Sequence, residues 1–171
     1  MPKVARVIIT TDCNLKCKYC CNRIPEVQQT FKMTTVQDFI DMSHKYEVIN
    51  FTGGEPLLAQ DKLVHLLTNI PRDIKRYLYT NGTQSPWTDL LEELDGVNVS
   101  IHNTEQVIKY LAFAGYAWCS NHKWRLKSRR LWVEDKKITE EITTWCKEQG
   151  WGLVPWTMNV CGKTEEDRWI L

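Results

Sequence analysis

The sequence predicts an α/β fold in which parallel strands alternate with helices, and three observations carry that prediction. Short β-branched and apolar runs recur along the chain, stretches of helical period separate them, and capping residues mark the joins. Strict alternation implies right-handed crossovers and a parallel sheet, either doubly wound or curled into a partial barrel. Both arrangements gather ligands at the carboxyl ends of the strands.

Six strands are expected, over Val4–Thr11, Val48–Thr52, Arg76–Thr80, Val97–His102, Ser128–Val133 and Gly152–Met158. The first helix opens at Thr34, where Thr34 and Gln37 read as a capping box and Val36, Phe39 and Ile40 make an apolar stripe. Asp61 precedes the stripe of the second, Leu63, Leu66, Leu67 and Ile70. Ser85 with Pro86 reads as an N-cap followed by proline at the first helical position, ahead of Leu90, Leu91 and Leu94. Asn103 with Gln106 opens a fourth helix through Val107, Ile108 and Leu111. Thr139 opens a fifth, through Ile142 and Trp145 to a stop at Gly150. The connection from Asp12 to Met33 is too long for a plain join, and connections of that length in compact domains are usually functional.

The 171 residues, 43% of them apolar with eight tryptophans, suit a single domain over 1–171. Lys and Arg number 22 against 21 Asp and Glu, so no net field points to nucleic acid or membrane. No apolar run approaches the roughly 20 residues of a membrane span, and Met1 to Arg6 lead into a strand-like run, so the expectation is a soluble cytoplasmic protein. Seven cysteines is an odd number, and three of them crowd into eight residues, too tightly for mutual disulfides. Metal binding in a reducing compartment explains these three better. Cys21, Cys119, Cys146 and Cys161 lie singly and read as free thiols.

Cys13, Cys17 and Cys20 stand in C-N-L-K-C-K-Y-C, three thiolates on one loop after the first strand. Three ligands are one short of the four that close a zinc site or a four-iron cluster, and an open iron is what a cluster needs to bind a cofactor directly. This C-x3-C-x2-C spacing, with Tyr19 before the last cysteine, resembles the signature of the radical S-adenosylmethionine superfamily. Gly53-Gly54-Glu55-Pro56 and Thr80-Asn81-Gly82 fall at the ends of successive strands, where that family puts its corresponding motifs. The reading F-T-G-G-E-P-L-L is most similar to the molybdenum cofactor biosynthesis protein A, peptide-maturase and carboxy-deazaguanine synthase branches.

The resemblance implies a partial (β/α)6 TIM-type barrel and an enzyme that cleaves S-adenosylmethionine reductively at a [4Fe-4S] cluster. The deoxyadenosyl radical so formed abstracts hydrogen from a substrate. It implies that Cys13, Cys17 and Cys20 ligate three irons. Tyr19, Gly53, Gly54, Glu55, Thr80 and Asn81 contact S-adenosylmethionine, the glycines by allowing close backbone approach. Ser100 faces its ribose or carboxylate, and Met158 lies against its adenine. Arg130 is a candidate salt bridge to the cofactor carboxylate. A reductant protein such as a flavodoxin or ferredoxin is the implied partner. Two features of the branches have no match: a cysteine-rich C-terminal domain or second cluster, and the hydroxyl residue after the third cysteine, where Cys21-Asn22-Arg23 stand instead.

Cys161, after the sixth strand, is a candidate hydrogen donor or a passive thiol. His122 to Arg130 carries five positive side chains and Trp124, either a solvated strand edge or a surface for a phosphate-bearing substrate such as a nucleotide or nucleic-acid base. Two readings compete with the enzyme: a structural zinc module using Cys21 or a distant His as fourth ligand, and an iron-sulfur protein that only carries electrons.

Overall fold

A computed structural model describes residues 2–18, 20–101, 128–156 and 166–171. The elements in chain order are β1 (Val4–Ile8), α1 (Pro25–Gln28), β2 (Phe31–Met33), α2 (Val36–Met42), β3 (Val48–Thr52), α3 (Gln60–Asn69) and β4 (Lys75–Thr80). After them come α4 (Thr88–Glu92), β5 (Gly96–Ile101), β6 (Ser128–Glu134), α5 (Glu140–Gln149), β7 (Gly152–Trp156) and β8 (Asp167–Ile170). Among the described residues the strands form one parallel sheet in the order β2-β8-β1-β3-β4-β5-β6-β7.

From β1 to β7 each new expected strand adds at the same edge. A doubly wound sheet reverses its strand order part-way, whereas this run does not, and it is the topology of an unclosed partial barrel. Alternate side chains of the strands, among them Val7, Ile49, Phe51, Leu78, Val97, Val99, Leu131 and Val133, are buried. They pack against Phe39 of α2, Leu63, Leu66 and Leu67 of α3, Leu90 and Leu91 of α4, and Ile142 and Cys146 of α5. The helices thus cover one face of the sheet and leave the other for a more polar lining.

Two strands escaped the sequence reading. β2 has three residues, with Met33 at 76% exposure, so it offers no alternation to read. β8 is the short run D-R-W-I, held between β1 and β2, and Leu171 N–H extends its pairing to the Ile8 carbonyl at 3.1 Å. Two helix starts also moved. Thr34 N–H is occupied by the Ile170 carbonyl at 3.0 Å, so the cap of α2 passes to Thr35, whose Oγ1 accepts from Asp38 N–H. Ser85 and Pro86 lie before α4 because the Gln60 amide ties down that stretch, donating to the Ser85 carbonyl and accepting from Trp87 N–H. Thr139 and Gly150 do cap α5, the latter at φ +68° in the left-handed region glycine favours. The helix expected from Asn103 lies outside the described residues. No helix among them is long and apolar enough to cross a membrane.

Candidate functional site

The carboxyl ends of β1, β3 and β4 converge, and the expected motifs occupy those ends. β1 stops at Ile8 instead of Thr11 because the next carbonyls turn to the glycine motif: Gly54 N–H donates to Thr10 O and Glu55 N–H to Asp12 O, each at 2.7 Å. The long connection that follows is itself partly regular, containing α1 and β2.

On that connection Cys13 is exposed while Cys17 and Cys20 are half-buried, all as free thiols. Burial pushes the Cys17 thiol above its ordinary range, and the neighbouring charges of Cys13 and Cys20 push it further, so the three sulfurs sense one another. Among the described residues, no three His, Cys, Asp or Glu side chains converge on a point that one ion could occupy. Three cysteine thiols on one loop are soft donors of the kind that ligate a four-iron cluster, and they number one fewer than its irons. The donor set therefore fits a [4Fe-4S] cluster with one iron left open. Cys146 is a core thiol of α5, pushed up to about 11 by burial. Cys119 and Cys161 lie outside the described residues, as do Tyr19, Met158 and the basic segment up to Lys127.

Side chains lace the three motifs together. Asn22 donates to the Gly53 carbonyl, tying the cysteine loop to the glycine turn. Asn14 donates to Thr83 Oγ1 at 2.7 Å, and Asn81 donates to Asn14 Oδ1 at 3.0 Å, tying the same loop to the turn after β4. Glu55 joins the two turns from beneath: its Oε1 accepts from Leu57 N–H at 3.0 Å and Thr80 Oγ1 at 2.7 Å, and its Oε2 accepts from Asn81 N–H at 2.7 Å. Asn14 was not singled out in the sequence, and Asn22 only as part of Cys21-Asn22-Arg23, although both adjoin cysteines.

This geometry refines what the glycines and Glu55 do. A Cβ at Gly54 would sit 2.0 Å from Asp12 O, and one at Gly53 would sit 2.5 Å from Thr10 O, so the closest approach at both positions is made by the chain's own backbone. Glu55 is fully buried and Thr80 nearly so, and each spends its side chain on the turns. Burial raises the Glu55 carboxyl above the usual carboxylate range against the opposing pull of its three donors. The folded protein therefore binds this proton more tightly than the unfolded chain, and the contribution falls as pH rises from the ordinary value through the raised one. Across that window the unfolding free energy of wild type should decline relative to Glu55→Gln. Urea midpoints at successive pH values check this, and a constant difference would contradict it.

The face of the sheet away from the helices carries Arg6, Tyr79, Asn98, Ser100, Arg130 and Trp132, in line by register: Tyr79 beside Asn98, Asn98 beside Arg130, Ser100 beside Trp132. Trp132 Nε1 donates to Asn98 Oδ1 at 2.9 Å, and its ring meets that of Tyr79 at 6.4 Å, tilted by 48°. Arg6 lies over the Tyr79 ring at 5.2 Å and pairs with Glu166 at 2.6 Å. Ser100 is half-buried and Arg130 exposed beside Gly152, which has no side chain to crowd it. Tyr79, Asn98 and Trp132 were not singled out from sequence. Their signal is the placement of polar and aromatic groups at alternate positions of otherwise apolar strands.

Comparison with known proteins places these features in context. A family model described as the Radical SAM superfamily matches residues 7–169. A probable GTP 3',8-cyclase of Halobacterium salinarum is 32% identical over 108 residues, 56% of this chain and 30% of that protein. A 7-carboxy-7-deazaguanine synthase of Methanothermobacter thermautotrophicus is 28% identical over 141 residues, 79% of this chain and 56% of that protein. The chain thus spans between about a third and about half the length of these two relatives. The crystal structure of Streptococcus suis SuiB shares the fold, with TM-score 0.60 at 18% identity over 98% of this chain and 42% of that one.

Proposed function

The chain belongs to the radical S-adenosylmethionine superfamily, and from that premise we propose that it holds a [4Fe-4S] cluster on Cys13, Cys17 and Cys20 and cleaves S-adenosylmethionine reductively. The observation that carries this reading is the lacing of the cysteine loop, the glycine turn and the Asn81 turn into one unit at the carboxyl edge of the sheet. When bound, the cluster and S-adenosylmethionine supply a low-potential electron and an alkyl radical able to abstract hydrogen.

The protein's share is binding and positioning. The Gly53-Gly54 turn and Asn81 are bonded to the cysteine loop and are proposed to meet the cofactor there, and Tyr19, Ser100, Arg130 and Met158 are the residues proposed to take the rest of S-adenosylmethionine. The Tyr79–Trp132 pair suits a flat substrate, and we take a nucleotide or nucleobase as its class, in keeping with the names of the two curated relatives. Cys161 is the proposed hydrogen donor. In this reading residues 1–171 act as one core domain, in the cytoplasm, with a flavodoxin- or ferredoxin-like protein as reductant.

Anaerobically reconstituted, dithionite-reduced protein should release 5'-deoxyadenosine and methionine in equal amounts, slowly alone and faster with a purine nucleotide present. Mass analysis of the products checks this. Iron-loaded protein that forms no deoxyadenosine would favour the electron carrier, and zinc as the sole metal would favour the structural module.

A further inference from the structure

We infer that Asn81 donates a hydrogen bond to the Cys13 thiolate of the bound cluster, aimed there by Glu55 and Thr83, and so raises the cluster's reduction potential. The inference rests on the assignment of the cluster to Cys13, Cys17 and Cys20. Asn81 Nδ2 stands 3.9 Å from Cys13 Sγ, and Leu15 N–H stands 3.4 Å from the same sulfur, so two N–H groups address one ligand atom.

The orientation of the Asn81 amide follows from its partners. Its Oδ1 is committed to Thr83, accepting from the backbone N–H at 2.9 Å and from Oγ1 at 2.6 Å. The NH₂ end is thereby turned to the cysteine loop, where Asn14 Oδ1 accepts at 3.0 Å and Cys13 Sγ lies next to it. A flipped amide would set two oxygens against each other at Asn14 and leave the Thr83 donors without an acceptor. The backbone of Asn81 is pinned by its N–H bond to Glu55 Oε2, and the Glu55 carboxylate has no exposed surface through which to move away.

Hydrogen bonds to cluster sulfurs draw charge off the thiolate and favour the reduced state, which carries one more electron. Removing the donor should therefore make the cluster harder to reduce. The same turn is held by Glu55 to the glycine motif, so the residue that tunes the cluster is fixed to the turn that borders the proposed cofactor.

The test is a spectroelectrochemical titration of the reconstituted protein, with iron per chain measured on each sample. Asn81→Ala should keep its iron and show a reduction equilibrium about tenfold less favourable, a fall of about 59 mV for a one-electron couple. Asn81→Asp, which also brings a negative charge, should fall further. Glu55→Gln and Thr83→Val retain the amide but loosen its aim, and should shift in the same direction by less. They also carry the test if the Asn81 variants fail to assemble a cluster. Iron-loaded variants with an unshifted or raised midpoint overturn the proposal. Wild type that takes up no iron instead refutes the cluster assignment on which it stands.

Discussion

Replacing Gly54 by alanine should strip the protein of its bound iron, although position 54 supplies no ligand. The added Cβ would fall 2.0 Å from Asp12 O, 2.5 Å from Asp12 C and 2.6 Å from Thr11 O, all backbone atoms that cannot rotate away. Relief requires moving the segment that enters Cys13, and that segment is fastened by the bonds of Thr10 O to Gly54 N–H and of Asp12 O to Glu55 N–H. Overpacking of this kind costs about 1–3 kcal/mol in a core, and here it is spent on the segment leading into Cys13, the first of the proposed cluster ligands. Iron per chain after reconstitution should drop to near background, with a lowered melting temperature. Full iron in Gly54→Ala would show that the loop adapts freely and that the glycine serves something other than its own backbone.

Cys17→Ala should likewise lose the cluster, while Cys146→Ala keeps it. A four-iron cluster held by three protein thiolates has no ligand to spare, and the Cys17 thiol is raised first by burial and then by the neighbouring Cys13 and Cys20. Cys146 sits in the core at 2% exposure on α5, where loss of its sulfur costs on the order of 1 kcal/mol in packing and touches no motif. Visible absorbance and iron content distinguish the two variants. Equal iron in Cys17→Ala and wild type would remove the cluster from these cysteines.

Alternation alone left a doubly wound order and a partial barrel both open, but the strands that carry the fold were legible because each is a run of β-branched and apolar residues between capped helices. β2 and β8 were not, since three or four residues held mainly by their neighbours have no period of their own. The motifs of the site were legible as spacing, whereas the connections among them were not. Asn14, Asn22 and Thr83 are ordinary loop residues in the sequence, and only the meeting of three strand ends gives each a partner. Glu55 belongs with them: its motif is legible in the sequence, but the bonds of its carboxyl to Leu57, Thr80 and Asn81 are not. The α2 cap moved from Thr34 to Thr35 because β8, invisible in the sequence, claims the Thr34 N–H.

The most direct measurement of the central claim is electron paramagnetic resonance of the reduced, iron-loaded protein before and after addition of S-adenosylmethionine. An open iron among three thiolates predicts a four-iron signal whose g values change when the cofactor is added, with the change lost in Cys17→Ala. A reduced four-iron signal that S-adenosylmethionine leaves unaltered, at cofactor concentrations well above those of the protein, would contradict it.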